Sequence, residues 1–135
     1  MDLEILKIAS DTKNNKIVKD HTHLAKLKNV ICGDEMQISL KISNNKIVDF
    51  GYQCKSCIYC QASVSLLSKK SLNMKIEKIN ELCEDAQSYF DGNVEIIKKK
   101  WSFFSKLFQN KNLPRKECLL LPFKTLKKSL INIKI

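Results

Sequence analysis

Apolar and polar residues alternate from Met36 to Ile42: Met36, Ile38, Leu40 and Ile42 are separated by Gln37, Ser39 and Lys41. A period of two predicts a half-buried strand over 36–46. Asn44-Asn45 supplies a turn, because Asn tolerates positive φ. Ile47, Val48, Phe50 and Tyr52 then predict a second strand, so the two form an antiparallel hairpin. One hairpin is marginal alone, and helices are expected to cover its apolar face. Helical spacing begins at Gln61 and runs to about Lys70, with a break at Ser71-Leu72-Asn73. A second helix is expected over 75–90, ended by Asp91-Gly92-Asn93. Its apolar side carries Ile76, Ile79, Leu82, Ala86 and Phe90, with Cys83 as a small buried thiol. Leu3, Ile5, Leu6 and Ile8 suggest a short N-terminal helix, and 11–16 a polar loop. The aromatic-rich stretch 94–108 is expected to pack on the core through a helix. Pro114 marks a helix start. The last helix, 119–133, carries Leu120, Phe123, Leu126, Leu130 and Ile133, with Pro122 kinking or restarting it.

The 135 residues suit one domain of α+β class: a small antiparallel sheet of two to three strands packed against several helices. Apolar residues make up 44% and charged residues 28%, with 3 Gly and 2 Pro, so long disordered linkers are not expected. The formal net charge is +10. That balance favours acidic partners in general. Basic and aromatic residues do not interleave in a nucleic-acid-binding pattern, so the lysines are taken as a solvated surface and no nucleic acid is expected. The start of the chain lacks the apolar run of a secretory signal, and no 18-residue apolar span occurs. The cytoplasm is the expected compartment, with no membrane partner. In a reducing compartment six cysteines point to metal or thiol chemistry rather than disulfides.

Three of those thiols, Cys54, Cys57 and Cys60, stand three residues apart where a strand hands over to a helix. Thiolates suit zinc, iron and iron–sulfur clusters. The run resembles the start of a ferredoxin cluster motif, but the fourth cysteine followed by proline is missing. The βαβ setting of a redox pair is missing too. Outside partners are therefore expected. Cys32 and Asp34, in I-C-G-D, precede the first hairpin strand, and Cys57 follows the second. Antiparallel pairing sets them side by side. Cys118 opens the last helix, where the helix N-terminus, Arg115 and Lys116 would lower its pKa. If that helix packs on the hairpin end, three thiols and a carboxylate converge. His21 and His23, in D-H-T-H, are read as loop histidines rather than ligands.

Taken together, I-C-G-D at 31–34, F-G-Y-Q-C-K-S-C-I-Y-C-Q-A-S at 50–63 and R-K-E-C-L-L-L-P-F at 115–123 resemble three motifs of one family. It is the U-type iron–sulfur cluster scaffold family, related to the amino-terminal domain of the nitrogen-fixation scaffold. The motifs occur in family order and span roughly residue 20 to the C-terminus. The resemblance implies Cys32, Cys57 and Cys118 as the site thiols and Asp34 as the acidic residue that assists metal binding and cluster release. It implies an α+β sandwich with helices on one side of the sheet and no enzymatic activity. Sulfur would come from a pyridoxal-phosphate cysteine desulfurase, and a transient [2Fe–2S] cluster would pass to acceptor proteins. Zinc or iron could occupy the same residues. Four positions depart from the family pattern: Cys54 and Ser56 replace glycines, Cys60 replaces a serine, and Glu117 precedes Cys118 where many members have His or Lys. Cys54 and Cys60 are accessory candidates that widen ligand choice or offer a persulfide relay. N-L-P-R-K at 112–116 matches the family's chaperone-recognition stretch poorly, so chaperone-assisted transfer is not carried over. The alternatives are a zinc-bound sulfur acceptor, a structural zinc protein and, more distantly, a basic RNA-associated protein.

Overall fold

The alternating stretches form two of three strands in the computed structural model, which describes residues 2–131. The elements are α1 (Leu3–Ala9), β1 (His23–Lys28), β2 (Glu35–Ser43), β3 (Lys46–Lys55), α2 (Ile58–Lys70), α3 (Ile76–Phe90), α4 (Glu95–Lys100) and α5 (Lys116–Ser129). The sheet order is β1-β2-β3, antiparallel throughout. Asn44 and Asn45 have φ of 53° and 62°, so the expected turn is two residues in the left-handed region. The register pairs Glu35 with Lys55 and Met36 with Cys54. The start of β2 and the end of β3 therefore lie together, as the hairpin argument required.

Met36, Ile38, Leu40, Phe50 and Tyr52 form the inner face of the sheet and are buried. α2 and α5 pack on that face, α1 packs on α2, and α3 packs on α5. Segment 14–18 crosses the outer face. Tyr52 donates its backbone N–H to the Asn14 carbonyl, and Val18 donates to the Ser39 hydroxyl. That crossing explains Gly51. A Cβ there would stand 2.5 Å from the Lys16 carbonyl oxygen.

Several boundaries depart from the sequence expectation. The D-H-T-H segment is not all loop, because His23 opens β1. H-L-A-K-L-K lacks β-branched residues, so its pairing is set by β2 rather than by propensity. The stretch 94–108 is not one helix. α4 ends at Trp101, whose φ of −134° takes it out of the helix, and a 3-10 turn follows at Ser102–Phe104. Leaving the helix buries the Trp101 ring and lets its indole N–H donate to Asp85 at 2.8 Å. Phe104, Leu107 and Phe108 are likewise buried. α2 begins at Ile58, three residues before the expected start. α5 begins at Lys116 and runs through Pro122 without a restart. Ile133 lies outside the described residues. Among the described residues no helix is long and apolar enough to cross a membrane.

Candidate metal centre

Three chain segments meet at the end of the hairpin. The first is the loop 29–34. It closes on itself: Asn29 N–H donates to the Asp34 carbonyl at 2.8 Å, and Gly33 N–H to the Asn29 carbonyl at 2.7 Å. The Asn29 side chain accepts from Ile31 N–H at 2.9 Å. Gly33 has φ +79°, a value glycine adopts without strain. This turn sets Cys32 outward, exposed to solvent, and Asp34 inward and buried.

The second segment is the β3–α2 junction. Cys57 is the N-cap residue of α2, with φ −71° and ψ 167°, and its side chain makes no capping hydrogen bond. The thiol is therefore not engaged by the helix end. The Gln61 side chain donates to the Ser56 carbonyl at 2.8 Å and holds the turn that leads into the helix. The third segment is the first turn of α5, which carries the buried Cys118. Pro122, four residues on, has no N–H for the Cys118 carbonyl.

Two contacts fix α2 against α5. The fully buried Ser63 donates its hydroxyl to the Leu119 carbonyl at 2.7 Å. The Arg115 guanidinium lies 5.3 Å from the centre of the Tyr59 ring. Each joins a residue near Cys57 to one near Cys118. Neither was singled out in the sequence as a positioning residue. Ser63 lay in plain view in the Q-A-S stretch, but only the packing of α2 on α5 shows what its hydroxyl does.

The result is a compact donor group. Ligand atoms of Cys32, Asp34 and Cys118 all lie within 4.8 Å of one another. Cys57 stands against Cys118. Asp34 Oδ2 is buried and has no hydrogen-bond partner. A cation among these thiols would meet that unpaired oxygen. Tetrahedral bonds of about 2.0–2.3 Å place donors roughly 3.5–4 Å apart, so the group needs to close by only about 1 Å. The donor set, soft sulfur with one carboxylate oxygen, fits zinc or iron.

The electrostatics of Cys118 differ from the sequence expectation of a lowered pKa. Burial pushes its thiol up, and the Cys57 thiol and the Asp34 and Cys32 charges beside it act in the same direction. The charged residues at the helix start, Arg115 and Lys116, are on the surface and do not offset this. In the absence of metal the proton stays on Cys118. A metal held there would have to displace it, so its affinity would rise with pH.

The other thiols divide clearly. Cys54 is half-buried and Cys60 fully buried, both beside the donor group. Cys83 lies apart on α3, buried as expected. His23, in β1, pairs with Leu40 of β2, and His21 bonds the Val18 carbonyl through Nδ1. Neither histidine belongs to the metal-capable group.

The NifU-like N-terminal domain family matches residues 3–93. The chain belongs to this family. It is 31% identical over 130 residues to the iron–sulfur cluster assembly scaffold protein IscU of Thermotoga maritima, covering 96% of this chain and 91% of the relative. That alignment extends past the family match to reach most of α5. Among solved structures, a candidate iron–sulfur cluster assembly scaffold for the SUF system from Fervidobacterium islandicum AW-1 superposes with a TM-score of 0.84. Its identity is 23%, and the match covers 96% of both chains. The N-terminal region of a nitrogen-fixing NifU-like protein from Brucella abortus gives 0.73 at 17% identity, over 96% of this chain and 90% of the other. These likenesses establish the U-type α+β fold: a three-stranded antiparallel sheet covered by helices.

Proposed function

We propose that this chain is an iron–sulfur cluster assembly scaffold whose cargo is held by Cys32, Asp34, Cys57 and Cys118. The observation that carries the reading is the buried, unpartnered Asp34 Oδ2 grouped with the thiols of Cys32 and Cys118, with Cys57 against Cys118. An uncompensated carboxylate oxygen in a buried place is costly. A metal cargo supplies the missing partner, and membership in a family that includes a named scaffold supplies the context.

The division of labour follows from position. Cys118 and Asp34 form the buried floor, Cys57 the wall at the start of α2, and Cys32 the solvent side. Sulfur from a cysteine desulfurase and iron combine here to give a [2Fe–2S] cluster, which passes to acceptor proteins. Asp34 is an oxygen donor in a sulfur site. It is a weaker partner for a cluster than a fourth thiolate, which suits a cargo that must leave. The role is that of a scaffold rather than an enzyme.

A zinc-holding sulfur acceptor is the second reading, because three sulfurs and one oxygen also suit tetrahedral zinc. Metal analysis of protein purified without oxygen separates the two, combined with anaerobic reconstitution from iron and sulfide and transfer to an apo-ferredoxin. Visible and Mössbauer spectra are expected to show a [2Fe–2S] cluster in the wild type. Cys57→Ser is expected to cut its yield about tenfold or more, since even the loss of a group that only orients a metal ligand costs about 10–100-fold. An unchanged yield would remove Cys57 from the site. One tightly held zinc with no transfer would favour the second reading.

A further inference from the structure

The loop 29–34 carries two of the four donors, Cys32 and Asp34, yet little packs on its tip. Val30, Ile31 and Cys32 are exposed, and a Cβ at Gly33 would meet no atom within 4 Å. Between the loop and α5 lies an open cleft of about 290 Å³, lined by Val30 and Ile31 on one side and Glu117, Leu121 and Lys124 on the other. Apolar packing therefore does not hold the loop tip in place. We propose that Asn29 does, as a positioning residue of the metal centre whose side chain presets Cys32 toward Asp34 and Cys118. The inference rests on the metal-centre reading given above and adds a residue outside the donor set.

The hydrogen bonds of the loop converge on this one residue. The Asn29 N–H donates to the Asp34 carbonyl at 2.8 Å, and the Asn29 carbonyl accepts from Gly33 N–H at 2.7 Å. Its side-chain Oδ1 accepts from Ile31 N–H at 2.9 Å and from Cys32 N–H at 3.4 Å. Three polar groups of Asn29 thus reach four consecutive residues, Ile31 to Asp34. Among the described residues, the hydrogen bonds made by 30–34 all end on Asn29.

Main chain and side chain do different work here. The two main-chain bonds can close the loop whatever residue stands at 29. The Oδ1 bonds need Asn, or another short side chain with an acceptor oxygen. They fix the Ile31 and Cys32 amides, and with them the direction in which the Cys32 side chain leaves the backbone. Gly33, with φ +79°, then turns the chain so that ligand atoms of Cys32, Asp34 and Cys118 lie within 4.8 Å of one another. Asp34 is buried and Cys118 sits in a helix, so both are placed by the fold. Cys32 is exposed, and only the loop places it. A group that holds a ligand without touching the metal raises affinity, because the ordering cost is met before binding.

The test is the zinc affinity of the metal-free full chain, read by competition with a chromophoric chelator. Wild type, Asn29→Ala and Asn29→Ser are compared; Ser keeps a short acceptor and adds no charge. Asn29→Ala is expected to bind zinc about tenfold more weakly or worse. Its urea midpoint is expected to stay where it is, since the two amides it releases are at the surface. Asn29→Ser is expected to recover most of the lost affinity. Iodoacetamide is expected to spare Cys32 in the zinc-loaded wild type and to label it in zinc-loaded Asn29→Ala, as mapped by mass spectrometry of the digested chain. Hydrogen exchange of the metal-free wild type needs no variant: the Ile31 and Gly33 amides are expected to exchange more slowly than that of Val30. Equal zinc affinity in wild type and Asn29→Ala would overturn the proposal and leave the metal centre standing. So would a loss in Asn29→Ser as large as in Asn29→Ala, or Ile31 and Gly33 amides that become protected only after zinc is added. A wild type that binds no zinc would remove the metal-centre reading and this inference together.

Discussion

Gly33 shows how much one backbone angle controls at the centre. Its φ of +79° turns the chain between an outward Cys32 and an inward Asp34, and a Cβ built there meets nothing within 4 Å. The cost of a side chain is therefore conformational and not steric. Gly33→Ala is expected to lose about 1–2 kcal/mol, the penalty of the left-handed region for an L-residue. Gly33→Asn is expected to lose much less, because Asn tolerates that region. Urea unfolding of the three proteins checks the order, and equal losses for Ala and Asn would point to some other cause. The I-C-G-D signature was legible as thiol, turn and carboxylate. The opposite exposures of Cys32 and Asp34 were not, because they depend on the Asn29 hydrogen bonds that close the loop.

At the level of elements, the centre depends on α2 and α5 keeping one relative position. Ser63 is the clearest joint. Its buried hydroxyl serves the Leu119 carbonyl, one residue beyond Cys118. Ser63→Ala removes the donor and leaves a buried carbonyl short of a partner, an expected loss of about 1–2 kcal/mol. A merely structural serine would affect stability alone. This one should also weaken zinc binding to the folded apo protein, read by chelator competition, since Cys57 and Cys118 ride on the two helices. Unchanged affinity would show that the helices hold their places without the bond. The hairpin was legible because its alternation and its Asn-Asn turn agree. The helices α2, α3 and α5 were legible from their apolar stripes, though not their first residues. Two elements escaped. β1 has weak strand propensity and is held by its neighbour. The 94–108 stretch reads as a helix, but burial of the Trp101 ring and its bond to Asp85 outweigh one more helical turn. The meeting of Cys118 with the hairpin end could be posed from the sequence only as a condition, because it depends on how α5 packs against β1 and β2.

For the molecule as a whole, buried thiols set a pH limit on the unloaded protein. Burial pushes the Cys83 thiol up to about 12, from an ordinary value of 9.0. Below pH 9 both folded and unfolded chains keep this proton. Between about 9 and 12 the unfolded chain loses it and the folded chain does not, so stability falls as pH rises. The slope for one such thiol is at most about 1.4 kcal/mol per pH unit. Cys83→Ala is expected to be less stable at pH 8 yet to lose less between pH 8 and pH 10. Urea series at the two pH values test this, and parallel losses in both proteins would assign the alkaline slope to other groups. The acid side has a different origin. Asp2, hydrogen-bonded to Lys111, and Asp11, hydrogen-bonded to Lys69, have lowered pKa values, so their contribution is lost as pH falls through the ordinary carboxylate range. The closed loop 29–34 has a consequence for the whole assembly. Val30 and Ile31 stand 90% and 82% exposed beside Cys32, while Asp34 and Cys118 stay covered. An acceptor approaching from solvent therefore meets Cys32 first. On the scaffold reading proposed above, its own thiolate would replace Cys32 while the buried donors still held the cargo, so departure and capture would become one event and no free cluster would enter solution. The Gly33→Ala protein, with its loop strained, should hand over faster in the same ferredoxin transfer assay, and an unchanged rate would place the first exchange at another donor.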